Sequence, residues 1–307
     1  MTSLLTNASA ITALQNLNAT NKSMQTTQDR ISTGMRVATA SDNAAYWSIA
    51  TTMKSDNSAL STVKDALGMG VATVDVTSSA VKSTVDLVSQ IKSKLVAAKE
   101  PGLDRSKVQA EISQLQKQLQ SVADASVFSG ENWLSVDSSG AGYNATKSIV
   151  SSFTRSGGTI TVGTIDVNVD SIKLYDSNGN AGLIDKARTS GTETASVATL
   201  DIAALTYSTT DTATLDAYIS IVDSALTDVT TAASDLGAVK NRISMQQDFI
   251  ANLMDSVTKG IGQLIDADMS QESTKLQALQ VQQQLGVQSL SIANQNSQQI
   301  LSLFKNG

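Results

Sequence analysis

The sequence predicts a mainly α protein: a long-helix bundle or coiled coil formed by both chain ends, with a small β-rich central insertion. Three observations carry that prediction. Apolar residues recur with three-four spacing through most of both halves. The single proline falls between two such tracts. The clearest period-two alternation lies in the middle, in a segment rich in Gly, Ser, Thr and Asn.

The first stripe runs through Leu14, Leu17, Asn21, Met24, Gln28 and Ile31, with Leu4 and Ile11 leading into it. Val81, Val85, Val88 and Leu95 mark a second helix, and Val108, Ile112, Leu115, Leu119 and Val122 a third. The lone proline separates these two in "EPGLD" at 100–104, where a helix should end and reverse. From Ser138 to about Tyr207, "TITV" (159–162), "IDVNV" (165–169) and "IKLY" (172–175) read as strands, closed by the turn "DSNGN". Helical spacing resumes at Leu215, Ile219, Val222, Leu226, Val229, Ala233 and Leu236, and continues through Ile243, Ile250, Val257 and Leu264. A final stripe comprises Leu276, Leu279, Gln283, Gly286, Leu290, Ala293, Ser297, Ile300 and Phe304.

A helix, β, helix order requires the two ends to meet, because only then do both terminal stripes find a partner. The expected division is a terminal helix over 1–42 paired with 264–307, a second helical layer over 43–137 paired with 210–263, and an insertion over 138–209. Polar or small residues at Asn21, Gln28, Gln283, Gly286 and Ser297 weaken the terminal seams. Ends that bury so little apolar surface are expected to fold on assembly with other subunits.

Composition argues against chemistry. The 307 residues include no Cys and no His, which removes thiolate and imidazole ligands, the thiol nucleophile and the commonest general base. No cofactor is implied. A net charge of -6 does not favour sequence-independent nucleic-acid binding. The leader "MTSLLTNASA" lacks a basic n-region and an apolar h-region, and no apolar run approaches the ~20 residues of a membrane span. "DSNGNAG" (176–182) begins like a calcium loop at Asp176, Asn178 and Asn180, but Ala181 and Ala187 stand where Gly and Glu belong, so a turn is expected. Asp266 and Asp268 lie two apart, on different sides of a helix, and suit a helix start or an interface. The sequons at Asn7, Asn18 and Asn144 are short patterns given no weight.

"DRISTGMRVATASDNAAYWSIA" resembles the first-boundary signature of bacterial flagellins, R-L-S-S/T-G-x-R-I-N-S-A-x-D-D-A-A-G-x-x-I-A. Arg30, Ser32, Thr33, Gly34, Arg36, Ala40, Asp42, Ala44, Ala45, Ile49 and Ala50 match. "FSGENWL" (128–134), "LGAVKNRI" (236–243), "DADMSQES" (266–273) and "ANQNSQQILSLF" (293–304) are similar to further family motifs. Gly34 can close the first helix with φ > 0, and Ser41 or Asp42 can cap the next. Asn43 replaces the family's second Asp, Tyr46 replaces its Gly, and Trp47 adds a second ring; with "ESTKLQALQVQQQL" these look like the rhizobial branch.

The resemblance implies a structural subunit of the flagellar filament. Such a subunit is exported unfolded through the type III apparatus with a chaperone, and polymerises beneath a cap above the hook-junction proteins. Its partners are itself and paralogous flagellins, and it is secreted to the cell exterior. It also implies inner filament helices, a second shell and an outer insertion, with interface residues Leu4, Ile11, Leu14, Leu17, Met24, Ile31, Leu276, Leu279, Leu290, Ile300, Leu301 and Phe304. Residues 29–50 align with the segment that plant immune receptors bind, and Asn43 and Tyr46 should weaken that recognition. The alternative within the same machinery is a hook-filament junction protein. A chemoreceptor hairpin would not enclose a β-rich insertion.

Overall fold

The computed structural model describes residues 7–305, with the backbone alone for Ser297 and residues 300–305. Among these residues, α1 (Ala8–Thr33), α2 (Ala44–Ala97) and α3 (Arg105–Ala125) come first. Then follow β1 (Val127–Phe128), β2 (Glu131–Asn132), β3 (Ser135–Val136), β4 (Thr146–Ser156), β5 (Thr159–Asn168), β6 (Tyr175–Asp176), β7 (Arg188–Ser190) and β8 (Glu193–Ala195). The helices α4 (Thr209–Ile265) and α5 (Met269–Lys305) close the chain. The expected class, long helices enclosing a small β-containing middle, is the observed one. Two compact units form: the chain up to Asn57 together with that from Asp255, and Ser58–Met254.

In the Ser58–Met254 unit a strict seven-residue repeat builds the core. Leu60, Leu67, Val74, Val81, Val88 and Leu95 of α2 are all buried, as are Leu215, Val222, Val229, Leu236, Ile243 and Ile250 of α4. Spacing of seven keeps each series on one side of a slightly underwound helix, which is the coiled-coil condition. A second buried series on α2 contains Thr77 and Thr84, whose hydroxyls donate to the carbonyls of Thr73 (2.8 Å) and Ala80 (2.9 Å). Bonding to their own helix lets these polar groups sit in the core. The same habit recurs on the surface, at Thr52, Thr62, Thr73, Ser83 and Ser93 of α2 and at Ser224, Thr227, Thr230, Thr231 and Ser234 of α4.

The α2–α3 turn holds Pro101 as expected, and Asp104 caps α3 by accepting from the Ser106 N–H (3.1 Å). Buried Arg105 then straps the chain preceding α4, donating to the carbonyls of Ala98 and Thr206 and lying 4.3 Å over the Tyr207 ring. Gln109 and Gln116 add bonds to residues 197–202. In "FSGENWL", Asn132 donates to the end of α3 at the Ala123 carbonyl (2.8 Å) and accepts from the Leu134 (2.8 Å) and Ser135 (3.0 Å) N–H groups. This one side chain turns the helix into the strand region.

β structure begins at Val127, before the expected start of the insertion at 138. The β4–β5 hairpin is its main element, closed by Gly157 (φ 57°) and Gly158 (φ 86°), the positive-φ pair of a tight hairpin turn. Ile149 of β4 lies over Gly70 of α2, where a Cβ would come within 2.5 Å of its Cγ2. "TITV" and "IDVNV" prove to be one strand running to Asn168. The expected strand "IKLY" is corrected: Val169–Ser171 form a 3-10 turn, and only Tyr175 with Asp176 pairs, in parallel with β3. The reason is Lys173. Its side chain, 7% exposed, turns inward to Asp170 (2.8 Å) and Asp176 (2.9 Å), and Asp176 also accepts from the Ser138 and Asn178 N–H groups. Asp176 thus organises a turn around an ammonium ion.

Burial opposes both charges of that pair, yet hydrogen bonding wins. Bonds to Asp170 and Asp176 raise Lys173 above the usual lysine range, and bonds from Lys173, Ser138 and Asn178 hold Asp176 well below the usual carboxylate range. The stabilisation from depressed Asp176 is present above its unfolded pKa near ~3.9 and is lost as pH falls from there; that from raised Lys173 is present below ~10.4 and is lost as pH rises from there. Lys173→Met should therefore cost about 3–5 kcal/mol at neutral pH by stranding a buried carboxylate. Acidification should recover part of that loss in the variant while it destabilises the parent. Thermal unfolding followed by Trp133 fluorescence in a Trp47→Phe background checks both signs.

Candidate assembly interface

The unit formed by the chain ends is built differently. α1 begins at Asn7, whose side chain accepts from the Ala10 N–H (3.0 Å) and donates to the Ala293 carbonyl (3.0 Å) across the pair. α1 ends at Gly34, φ 70°, whose N–H bonds the Arg30 carbonyl (2.9 Å), so the glycine does close the helix in the left-handed region. α5 runs antiparallel to α1 at successive levels: Met35 opposite Asp266, Arg30 to Glu272 (3.1 Å), Asn21 to Gln283 (2.8 Å), and Leu17 over Gly286.

Few large apolar side chains are buried in this pair. Leu279 is buried, whereas Leu17, Met24, Ile31, Leu276 and Leu290 are half-buried. Thr27 Oγ1 and Glu272 Oε2 are buried without a hydrogen-bond partner, each costing about 1–3 kcal/mol. The C-terminal stripe faces α1 as expected through Ala293. The N-terminal stripe needs correcting: the seam passes through Ala10, Ala13, Leu17, Asn21, Met24 and Thr27, while Ile11 and Leu14 turn outward and Gln28 is exposed. A straight helix drifts against a 3.5-residue repeat, and small Ala10 and Ala13 allow closer approach than the branched residues beside them. Leu4 and the side chains of Ile300, Leu301 and Phe304 lie outside the described residues.

On the side of α5 away from α1, Val281, Leu285 and Ile292 form a second stripe, each more than half exposed. Ile11 and Leu14 of α1 are open to a similar degree. Each terminal helix thus spends one face on its partner and keeps another.

The signature loop joins the two halves. The Arg36 N–H (2.6 Å) and Val37 N–H (3.2 Å) both donate to the Ile265 carbonyl, and the Arg36 guanidinium reaches the carbonyls of Gln263 (3.4 Å) and Leu264 (3.2 Å). In return the Ala267 N–H donates to the Gly34 carbonyl (2.9 Å). Val37, Ala50, Ile261 and Ile265 form a small buried cluster beneath. Thr33 Oγ1 accepts weakly from the Met35 N–H (3.3 Å), and Ser32 is exposed.

The cap of α2 is neither Ser41 nor Asp42. Asn43 accepts from the Ala45 and Tyr46 N–H groups (3.1 Å each), while Asp42 folds back to accept from Ala38 (3.0 Å) and Thr39 (2.9 Å). The hydrogen bonds from Thr39 hold the Asp42 carboxyl below its ordinary value. Tyr46 and Trp47 follow on the first turn, 42% and 39% exposed. Sequence reasoning overlooked Asn7, Thr27 and the role of Glu272. The family pattern D-A-D-x-x-x-E could have signalled the last, since its Glu lies four residues beyond the Asp268 cap, whose carboxylate accepts from the Ser270 and Gln271 N–H groups.

A chain whose two ends close into one helical pair and still present apolar faces is an assembly subunit. Comparison narrows the class. The profile of the bacterial flagellin N-terminal helical region matches residues 4–138, and that of the C-terminal helical region matches residues 219–304. Flagellin C of Rhizobium meliloti strain 1021 is 50% identical over 322 aligned residues, covering 99% of this chain and 100% of that protein. Flagellin A of Rhizobium meliloti is 42% identical over 398, and a flagellin of Brucella melitensis 43% over 309, each again covering 99% of this chain and 100% of the relative. The chain belongs to the bacterial flagellin family, among relatives of rhizobial type.

Asn43→Ala should cost about 1 kcal/mol and speed amide exchange at Ala45 and Tyr46, whereas Asn43→Asp should leave both near parental values. Site-resolved hydrogen exchange of the full chain checks this.

Proposed function

We infer that this chain is the structural subunit of a flagellar filament, polymerising through its terminal helices and serving motility rather than catalysis. The supporting observation is the division of faces on α1 and α5. One face pairs the two ends, and the outward residues Ile11, Leu14, Val281, Leu285 and Ile292 remain for neighbouring copies. Membership of the flagellin family supplies the kind of assembly. Burying those side chains against other subunits offsets the polar defects of the α1–α5 seam, so folding of the ends is coupled to polymerisation.

Weak terminal pairing suits passage of an unfolded chain through an export channel, with a chaperone holding the ends apart and a cap guiding their closure outside the cell. Paralogous flagellins, built on the same helical regions, are natural co-polymer partners. Expected domains follow: an inner layer from α1 and α5, a second layer from α2, α3 and α4, and the β-containing segment outermost. Leu4, Ile300, Leu301 and Phe304 would extend the inner contacts. A hook-junction role is disfavoured by full-length similarity to flagellins.

Replacing Val281 and Leu285 together by Ser should abolish filament growth from purified monomer while leaving the Ser58–Met254 unit folded, since the changes lie on α5's free face. Sedimentation and electron microscopy of seeded growth, with Trp133 fluorescence of the Trp47→Phe form as the folding control, provide the measurement. Normal filaments would refute the assignment of that face.

Residues 29–50 correspond to the family segment that plant immune receptors bind as an extended peptide, and we propose that this chain's version is read weakly. Tyr46 supplies bulk where the family has Gly, and Asn43 lacks a carboxylate for a charge-assisted bond. A peptide of residues 29–50 should be a poor elicitor of plant defence, and joint Tyr46→Gly and Asn43→Asp changes should restore much of the response. An oxidative-burst assay with a usual-sequence peptide as reference decides it.

A further inference from the structure

The break between α4 and α5 has no breaker in its sequence. "QLIDADM" at 263–269 contains neither Gly nor Pro; Gly260 and Gly262 lie in the preceding turn, where α4 is still helical, and the weak helix formers in the segment itself are only Asp266 and Asp268. The Asp266 N–H still bonds the Gly262 carbonyl (2.8 Å), so α4 is helical up to that point. One residue later the pattern changes. In a continuous helix the N–H groups of Ala267, Asp268 and Met269 would bond the carbonyls of Gln263, Leu264 and Ile265. Instead, the carbonyls of Gln263 and Leu264 receive Arg36, and that of Ile265 receives the Arg36 and Val37 N–H groups, while Ala267 turns to the Gly34 carbonyl. All three carbonyls find new donors in residues 36 and 37, and one of the displaced N–H groups, that of Ala267, finds its acceptor in the same loop.

We propose that the signature loop is a wedge that creates this break: with residues 34–37 undocked, α4 and α5 run on as a single helix through residues 266–268. Only the restart is encoded locally, by the Asp268 cap on the Ser270 and Gln271 N–H groups. The stop comes from the other end of the chain. Gly34 makes the insertion possible, because its left-handed φ of 70° ends α1 and presents its carbonyl to Ala267. Docking the N-terminal loop therefore splits one C-terminal helix into two and frees α5 to lie along α1. The inference deepens the proposed function, since it names the step that turns an extended C-terminal helix into the inner-layer arrangement.

The test is the backbone conformation of residues 266–268 in filaments of the full chain, where the ends are paired, read from the solid-state 13Cα shifts of Asp266, Ala267 and Asp268, with each labelled variant co-assembled with unlabelled parent. Arg36→Ala removes the guanidinium bonds; Arg36→Pro removes these and the N–H bond to Ile265. Trp133 fluorescence in a Trp47→Phe background verifies that the Ser58–Met254 unit is folded in each. The expected result is a shift of all three residues to helical values in Arg36→Pro and a partial shift in Arg36→Ala. Non-helical values in both variants, whether from a persisting break or from an unfolded segment, overturn the wedge. Polymerisation of the parent chain is scored separately, so failure of the wedge and failure of the filament reading are distinguishable.

Discussion

Everything in the terminal unit depends on where the last carbonyls of α4 find their donors. They find them on Arg36 and Val37, more than two hundred residues away in the chain, and the Gly34 carbonyl takes the Ala267 N–H in exchange. Backbone groups removed from water must be paired, so this exchange ties the entry of α2 to the exit of α4. It also fixes the starting level from which α1 and α5 pair. The later contacts, Arg30 with Glu272 and Asn21 with Gln283, follow at matching intervals.

The two units divide the labour of stability and recognition. In Ser58–Met254 the seven-residue series are filled with Leu, Ile and Val, and full burial of such side chains is worth about 1.5–3 kcal/mol each. The α1–α5 pair has mostly half-buried apolar contacts, two orphaned polar atoms and a glycine in its seam. A subunit that must remain unpaired until it meets its neighbours needs one part that folds autonomously and another that barely does.

Much of this was legible in the sequence, and the losses have physical causes. Helix identity came from apolar period, which the long heptad series of α4 state without ambiguity. The C-terminal stripe was readable because Leu276, Leu279 and Leu290 dominate it. The N-terminal stripe misled at its start because Ile11 and Leu14 continue the apolar spacing of Leu17, yet they belong to the outward face, and a single sequence does not say which of two apolar faces a helix spends internally. "IKLY" alternates like a strand, but the buried charge of Lys173 needed two carboxylates to meet it, which only the fold reveals. Of three polar residues in a row that could cap α2, hydrogen-bond geometry selected Asn43 and left Ser41 and Asp42 to the preceding turn.

The hydroxyl-bearing helices have a consequence for the environments this protein can tolerate. Charged residues make up only 16% of the chain against about 25% in an average domain, and α2 and α4 carry much of their surface polarity as Ser and Thr bonded to their own backbone. Dipolar groups satisfied within one helix do not respond to counter-ions as separated charges do. What response to salt remains is concentrated in the exposed ion pairs that join α2 and the turn after it to α4, Lys92 with Asp223, Lys99 with Asp216 and Lys240 with Asp75, so the helical layers meet a change of salt at a few points rather than over their whole surface.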